Sequence, residues 1–320
     1  TITRVITRDT WGLSHVLQRV TTSPEPMQIV DPAKIAKKYL QRLKESVTRL
    51  ETNMQVVGFI ASDDPPSISY ANATRRVFTD AGFNYDLRHV KRLELEAEII
   101  KANADKDVHG IFIYFPVFGN QEDDYLRNLV HYTKDIEAGS LYWTRKLDTN
   151  DRSATDIDAN KKALIPCTPL AIVKVLDDIG EYGDGDLPLA GKKITIFNRS
   201  QVIGRPLAIM MSNDGAMVLS FDEHGPLEFK AGAPKETSLD RSSALAQSDI
   251  IITGVPGSDF ELVKPEEVPD DAVCINFSSE QNFTEDVKSH VRAFIPRVGP
   301  MTVAMCMRNT IRLFEHFHHE

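Results

Sequence analysis

The stretch ITIFNRSQVIGRP (residues 194–206) reads as an apolar strand, a tight polar turn and the start of a helix. A turn of this kind presents backbone N–H groups and the positive end of a helix, which suits a pyrophosphate. The spacing is not G-x-G-x-x-G. Asn198 stands at the first position, where Asn tolerates a left-handed backbone better than most residues, and Gly204 lets the helix approach the sheet. Arg199 and Ser200 fill the turn. A merely structural strand-to-helix turn fits the same spacing.

The next strand, AMVLSF, runs into Asp222 and Glu223, 18 and 19 residues after Gly204. An acidic residue there accepts hydrogen bonds from adenosine ribose hydroxyls and repels a 2′-phosphate, so a dinucleotide site here prefers NAD to NADP. The plain alternative is a strand-end turn residue. Two further strands end at TGVPG, with Gly254 and Val255, and at CINF, with Cys274, Ile275 and Asn276. All lie on the carboxyl edge of the sheet, where open α/β folds bind ligands.

The same alternation continues upstream. QVVGFIA, NYDLRHV and VHGIFIYFP read as strands, separated by a helix that ends at Gly82 and by the helix LELEAEIIKANA. Before them, Asp31 caps a helix with Pro32 in its first turn and Ile35, Tyr39, Leu43 and Val47 at helical spacing. Two alternating sets in 320 residues predict two α/β domains with parallel sheets. The polar stretch at residues 147–162 marks the boundary, residues 222–248 read as a surface loop leading into a helix, and GPMTVAMCMRNTIRLFEHF closes the chain as a helix.

A net charge of −9 argues against nucleic-acid binding, which needs a basic surface. No run of about 18 apolar residues predicts a membrane span. The three cysteines, Cys167, Cys274 and Cys306, are odd in number and far apart, which fits a reducing compartment and no metal site. Residues 1–30 read as a flexible lead that is only weakly like a transit peptide.

One polar face remains. In SISYANATRR (residues 67–76), Tyr70 and Thr74 sit four apart on a helix, with Ser67 one turn earlier. Three hydroxyls share a face, and the position best placed for a charged group holds Thr.

IPCTPLAIVKVL, NRSQVIGRP, DIIITGVPG and VGPMTVAMCMRNT are similar, in order and spacing, to the signature segments of the methylenetetrahydrofolate dehydrogenases, over about residues 31–316. YFPVFGN and IPCTPLAIVK resemble the monofunctional, NAD-dependent, yeast-type branch. The resemblance implies a folate-binding α/β domain (residues 31–160 and 300–320), a Rossmann NAD-binding domain (residues 161–299) and a cleft between them. It further implies a cytoplasmic homodimer in one-carbon metabolism, serving purine biosynthesis, with no metal.

Carried over by position, the bifunctional relatives' Tyr is Tyr70, their Lys four residues on is Thr74, their third-strand Gln is Tyr114, and the Asp of their KDVDG is Glu137 in KDIEA. Tyr70, Tyr114 and Glu137 are thereby implied folate contacts, with Pro300 and Thr302 bordering the folate. The implied NAD contacts are Asn198, Arg199, Ser200, Gly204, Asp222, Glu223, Gly254, Val255, Cys274, Ile275 and Asn276. Cys167 falls where similar enzymes of the NAD branch place a proposed active-site Cys, which makes Cys167, Tyr70 and Thr74 the catalytic candidates. A small buried hydrophobe is the alternative reading of Cys167.

Oxidising 5,10-methylenetetrahydrofolate moves a hydride and no proton, so orientation does most of the work. Hydrolysing the resulting methenyl cation moves protons, and Thr does not titrate near neutral pH. Dehydrogenase activity without efficient cyclohydrolase is expected. A bifunctional NADP-linked enzyme and a non-catalytic nucleotide sensor on the same fold stay open as alternatives.

Overall fold

The computed structural model describes residues 28–50, 52–158 and 160–319. The lead expected over residues 1–27 lies outside them. Residues 28–30 depart from that expectation. Gln28–Ile29 form a short strand, β1, and Val30 is buried.

Next come helix α1 (Pro32–Leu50), β2 (Gln55–Ile60), α2 (Pro65–Asp80), β3 (Asn84–His89), α3 (Leu95–Ala104), β4 (Gly110–Ile113), α4 (Gln121–Leu129) and α5 (Leu141–Asp148). They are followed by α6 (Cys167–Asp178), β5 (Lys193–Phe197), α7 (Gly204–Asn213), β6 (Met217–Asp222), β7 (Gly225–Lys230) and β8 (Ala233–Glu236). The last are α8 (Arg241–Ala246), β9 (Ile250–Thr253), β10 (Val273–Asn276), β11 (Ala293–Ile295) and α9 (Gly299–Leu313).

Contacts divide the chain into two compact units. One holds residues 33–146, 153–171 and 300–319, and the other residues 28–32, 147–152 and 172–299. Relative to the expected domains, residues 147–152 lie in the second unit and residues 161–171 in the first, while α9 lies in the first unit.

The first unit is built on a parallel sheet in the order β3-β2-β4. Val57, Phe59, Ile111 and Ile113 bury one face against Leu95, Ile99 and Leu126. α2 starts where it does because the Asp64 carboxylate accepts the Ser67 amide at 3.0 Å and Pro65 opens the first turn. Such a cap stabilises a helix by about 1 kcal/mol.

The second unit holds an eight-stranded sheet in the order β1-β11-β10-β9-β5-β6-β7-β8. Ile194 pairs with Val218 on one side and Ile250 on the other, so the strand order reverses between β5 and β9. Open α/β sheets bind ligands at the carboxyl ends of strands at such a switch point. The strands are continuous Val/Ile runs because both faces are covered. The loop expected over residues 222–248 is instead largely an antiparallel hairpin, in which Phe221 pairs with Pro226 and Leu227 with Glu236. Its Pro, Gly and Lys residues are those an edge strand tolerates, which is why composition alone reads as loop.

Candidate active site

In the first unit, Tyr70, Tyr114, Glu137 and Cys167 are brought together, although α2, the residue just after β4, a loop and α6 contribute them separately. The Tyr70 and Tyr114 rings meet edge to face at 6.0 Å. Tyr114 is buried, and its hydroxyl lies 2.7 Å from that of Tyr85. Gly58 makes this pair possible, since a Cβ there would overlap the Tyr85 hydroxyl. Burial raises both phenols, so both stay protonated at neutral pH.

The three hydroxyls of the α2 face separate. Ser67 Oγ donates to Asp64 Oδ2 at 2.8 Å, so it serves the helix cap. Thr74 is 1% exposed and donates to the Tyr70 carbonyl at 3.0 Å. Tyr70 alone is open, at 42%.

Glu137 is partly exposed and sits in a loop. Burial of its carboxyl, then the neighbouring Asp135 carboxylate, push its pKa up to about 8, and Arg127 opposes them. Cys167 is 4% exposed. Its thiol donates to the Ile136 carbonyl at 3.2 Å, and burial raises its pKa, so it is a neutral S–H group and not a thiolate. Pro300 and Thr302 occupy the first turn of α9, both partly exposed. The sequence reading missed Tyr85, Cys306, whose thiol is hydrogen-bonded with that of Cys167, and Asn309, whose Nδ2 donates to Cys167 Sγ at 3.3 Å. Cys306 and Asn309 lie three apart in MCMRNT, a helical spacing that put them on one face.

In the second unit, Asn198 does not take a left-handed backbone. Its side chain does the work instead. Oδ1 accepts from Ser200 N at 3.0 Å, Ser200 Oγ at 2.8 Å and Gly204 N at 3.1 Å, while Nδ2 donates to the Gly254 carbonyl at 2.8 Å. The amide thus ties the turn to the end of β9 and caps α7, so not all of the turn's N–H groups are free. A Cβ at Gly204 would overlap the Asn198 carbonyl, so that glycine is obligatory. The obligatory glycine and the strand–turn–helix at the switch point fit a dinucleotide.

Asp222 is not a free carboxylate. Arg199 Nη1 lies 3.2 Å from it, and the same guanidinium donates to Ser220 and Gly225. Glu223 is exposed and faces His224. Cys274 and Ile275 are fully buried, with Cys274 in a core with Phe197, Ile251 and Phe294, so as side-chain contacts they are corrected to core residues. Asn276 is also enclosed and is bonded to Thr253, Ser278 and Asn282. The Val255 amide donates to Asn282, so this residue too belongs to the strand-end network. Among the described residues no group of three or more His, Cys, Asp or Glu is placed to hold a metal ion, and no helix is long and apolar enough to cross a membrane.

The family model for the tetrahydrofolate dehydrogenase/cyclohydrolase catalytic domain matches residues 30–137, and that for its NAD(P)-binding domain matches residues 166–318. The chain is 39% identical over 308 residues to a methylenetetrahydrofolate dehydrogenase [NAD(+)] of Schizosaccharomyces pombe, covering 92% of this chain and 96% of that one. Identity to the Saccharomyces cerevisiae enzyme of the same description is 39% over 275 residues, or 81% and 85% of the two chains. The solved structure of the NAD-dependent 5,10-methylenetetrahydrofolate dehydrogenase from Saccharomyces cerevisiae matches with a TM-score of 0.85 at 34% identity, covering 92% of this chain and 99% of that one. The chain belongs to the tetrahydrofolate dehydrogenase/cyclohydrolase family.

Proposed function

We propose that this chain oxidises 5,10-methylenetetrahydrofolate to 5,10-methenyltetrahydrofolate with NAD and lacks efficient cyclohydrolase activity. The observation that carries this is Thr74. It is enclosed, and its hydroxyl is engaged with the Tyr70 carbonyl, at the position where the bifunctional pattern has a Lys. Tyr70 offers an open ring for the aminobenzoyl or pterin group, Tyr114 lines the site beside it, and the Glu137 carboxyl, protonated at neutral pH, accepts from a pterin N–H through its carbonyl oxygen and donates through its O–H. NAD, when bound, supplies the hydride acceptor. Asn198 and Gly204 shape the turn that holds its pyrophosphate, and Asp222 favours a free ribose 2′-hydroxyl.

No residue is required to take a proton during hydride transfer, so orientation by Tyr70, Tyr114 and Glu137 supplies the protein's part. The neutral Cys167 thiol supports a positioning role and not a nucleophilic one. We further infer a homodimer and a cytoplasmic place in one-carbon supply for purine biosynthesis. Three buried, unpaired thiols are consistent with a reducing compartment.

Steady-state rates with 5,10-methylenetetrahydrofolate and either NAD or NADP, with methenyl hydrolysis followed in the same preparation, test the reading. NAD-linked oxidation without matching hydrolysis is expected. Equal hydrolysis and oxidation rates would overturn the monofunctional assignment, and no oxidation with either cofactor would overturn the enzymatic one. Light scattering checks the dimer.

A further inference from the structure

Glu137 lies in no helix or strand, and the next residue, Ala138, holds a left-handed backbone at φ 52°. An irregular loop does not by itself fix where a side chain points. Here the two carbonyls that flank the Glu137 Cα are both held. The Ile136 carbonyl accepts from Cys167 Sγ at 3.2 Å and from Asn309 Nδ2 at 3.1 Å. The Glu137 carbonyl accepts from the Cys167 amide at 3.1 Å. Asn309 Nδ2 also reaches the Ile165 carbonyl at 3.1 Å and Cys167 Sγ at 3.3 Å. Asn309 is fully buried. Its amide orientation is forced, because the opposite flip would set Oδ1 against two carbonyl oxygens.

We propose that Asn309 and Cys167 form a clamp that aims the Glu137 carboxyl group at the folate, both acting as positioning residues. With both peptide groups of Glu137 pinned, its carboxyl swings only about its own χ angles. The proposal rests on Glu137 being a folate contact. Cys167 serves as a donor through its S–H and its N–H, which a neutral thiol supports. The groups whose charge Glu137 feels are Asp135 and Arg127, and the nearby Tyr114, Cys167 and Cys306 are all held neutral by burial.

The test measures folate KM, kcat and their pH profiles for Asn309→Ala, Cys167→Ala, Cys167→Ser and Glu137→Ala, and for Asn309→Ala combined with Glu137→Ala. Asn309→Ala and Cys167→Ala should each raise folate KM about ten-fold, the effect of one well-placed hydrogen bond, with kcat changed less. Cys167→Ser keeps a donor toward the Ile136 carbonyl and should stay near the parent enzyme. The double variant should be no worse than Glu137→Ala alone, because the clamp acts only through that carboxyl group. Multiplying KM effects in the double variant, or a lowered melting temperature with an unchanged KM and pH profile, would overturn the clamp. Should Asn309→Ala not fold, the contrast between Cys167→Ala and Cys167→Ser decides, and equal KM values for the two overturn it. An unchanged KM in Glu137→Ala overturns the underlying assignment of Glu137 instead.

Discussion

Arg199 Nη1 stands 3.2 Å from Asp222 Oδ1, and both side chains are largely enclosed at the carboxyl edge of the second unit's sheet. The pair links the turn after β5 to the end of β6. Asp222 therefore has two effects on cofactor choice. Its carboxylate disfavours a 2′-phosphate directly, and it also engages the cation that would otherwise be free to receive one.

Asp222→Ser removes both effects. The carboxylate is lost, and Arg199 keeps only its bonds to Ser220 and Gly225. The ratio of kcat/KM for NAD to that for NADP should fall about 10- to 100-fold, or roughly 1.4–2.7 kcal/mol. Initial rates with both cofactors check this. An unchanged ratio would assign the selectivity to another group.

Thr74→Lys places an amine at an enclosed position beside Tyr70 and Tyr114, where desolvation lowers a Lys pKa toward neutrality. Methenyl hydrolysis should rise, toward the roughly 10²–10⁴-fold that a positioned acid–base group contributes, while NAD-linked oxidation persists. Following methenyl decay at constant folate decides it. A variant that folds, oxidises its substrate and hydrolyses no faster than the parent would mean the missing Lys is not what limits hydrolysis.

The Val/Ile strand runs, the Asn198–Gly204 turn and the helix of Tyr70 and Thr74 were legible because strand periodicity, turn chemistry and helical spacing are local signals. The hairpin after β6 was not. Its Pro, Gly and Lys residues mark an edge strand and a loop equally well. Cys274 and Ile275 sit at a strand end that reads as a ligand edge, yet both side chains turn into the core, and no one-dimensional pattern separates backbone from side-chain contact. The role of Asn198 was also hidden. Its value to the turn is a side-chain cap reaching Gly204 and Gly254, a three-dimensional contact, and not its tolerance of unusual φ. Tyr85 went unnoticed because its partner Tyr114 is 29 residues away.

Gly58→Ala tests that tyrosine pair without touching it. The three atoms nearest the new methyl all belong to the Tyr85 side chain, so the ring must move off its place beside Tyr114. Overpacking of this kind typically destabilises by about 1–3 kcal/mol. The melting temperature should fall, and the folate KM should rise as Tyr114 loses its 2.7 Å partner. Tyr85→Phe separates the two effects, since it removes the hydroxyl with little change in volume. A rise in KM for Gly58→Ala and none for Tyr85→Phe would assign the effect to packing alone.

Glu137 gives the fold a pH dependence of unusual sign. Its folded pKa of about 8 lies above the ordinary value of 4.5, because burial and Asp135 penalise the charge. Between those two values the unfolded chain has released the proton while the folded chain still holds it. The unfolded state binds fewer protons there, so this group's contribution to stability falls as pH rises through the window and levels off above the folded pKa. Solvent access to Glu137 reduces the size of the effect without changing its sign. Glu137→Gln cannot ionise and should be free of it. Thermal melts of parent and variant from about pH 5 to about pH 9 should therefore diverge, the parent losing melting temperature relative to Glu137→Gln as pH increases. Parallel curves across that range would mean the carboxyl is already ionised in the folded chain, with Arg127 outweighing the burial and the Asp135 charge.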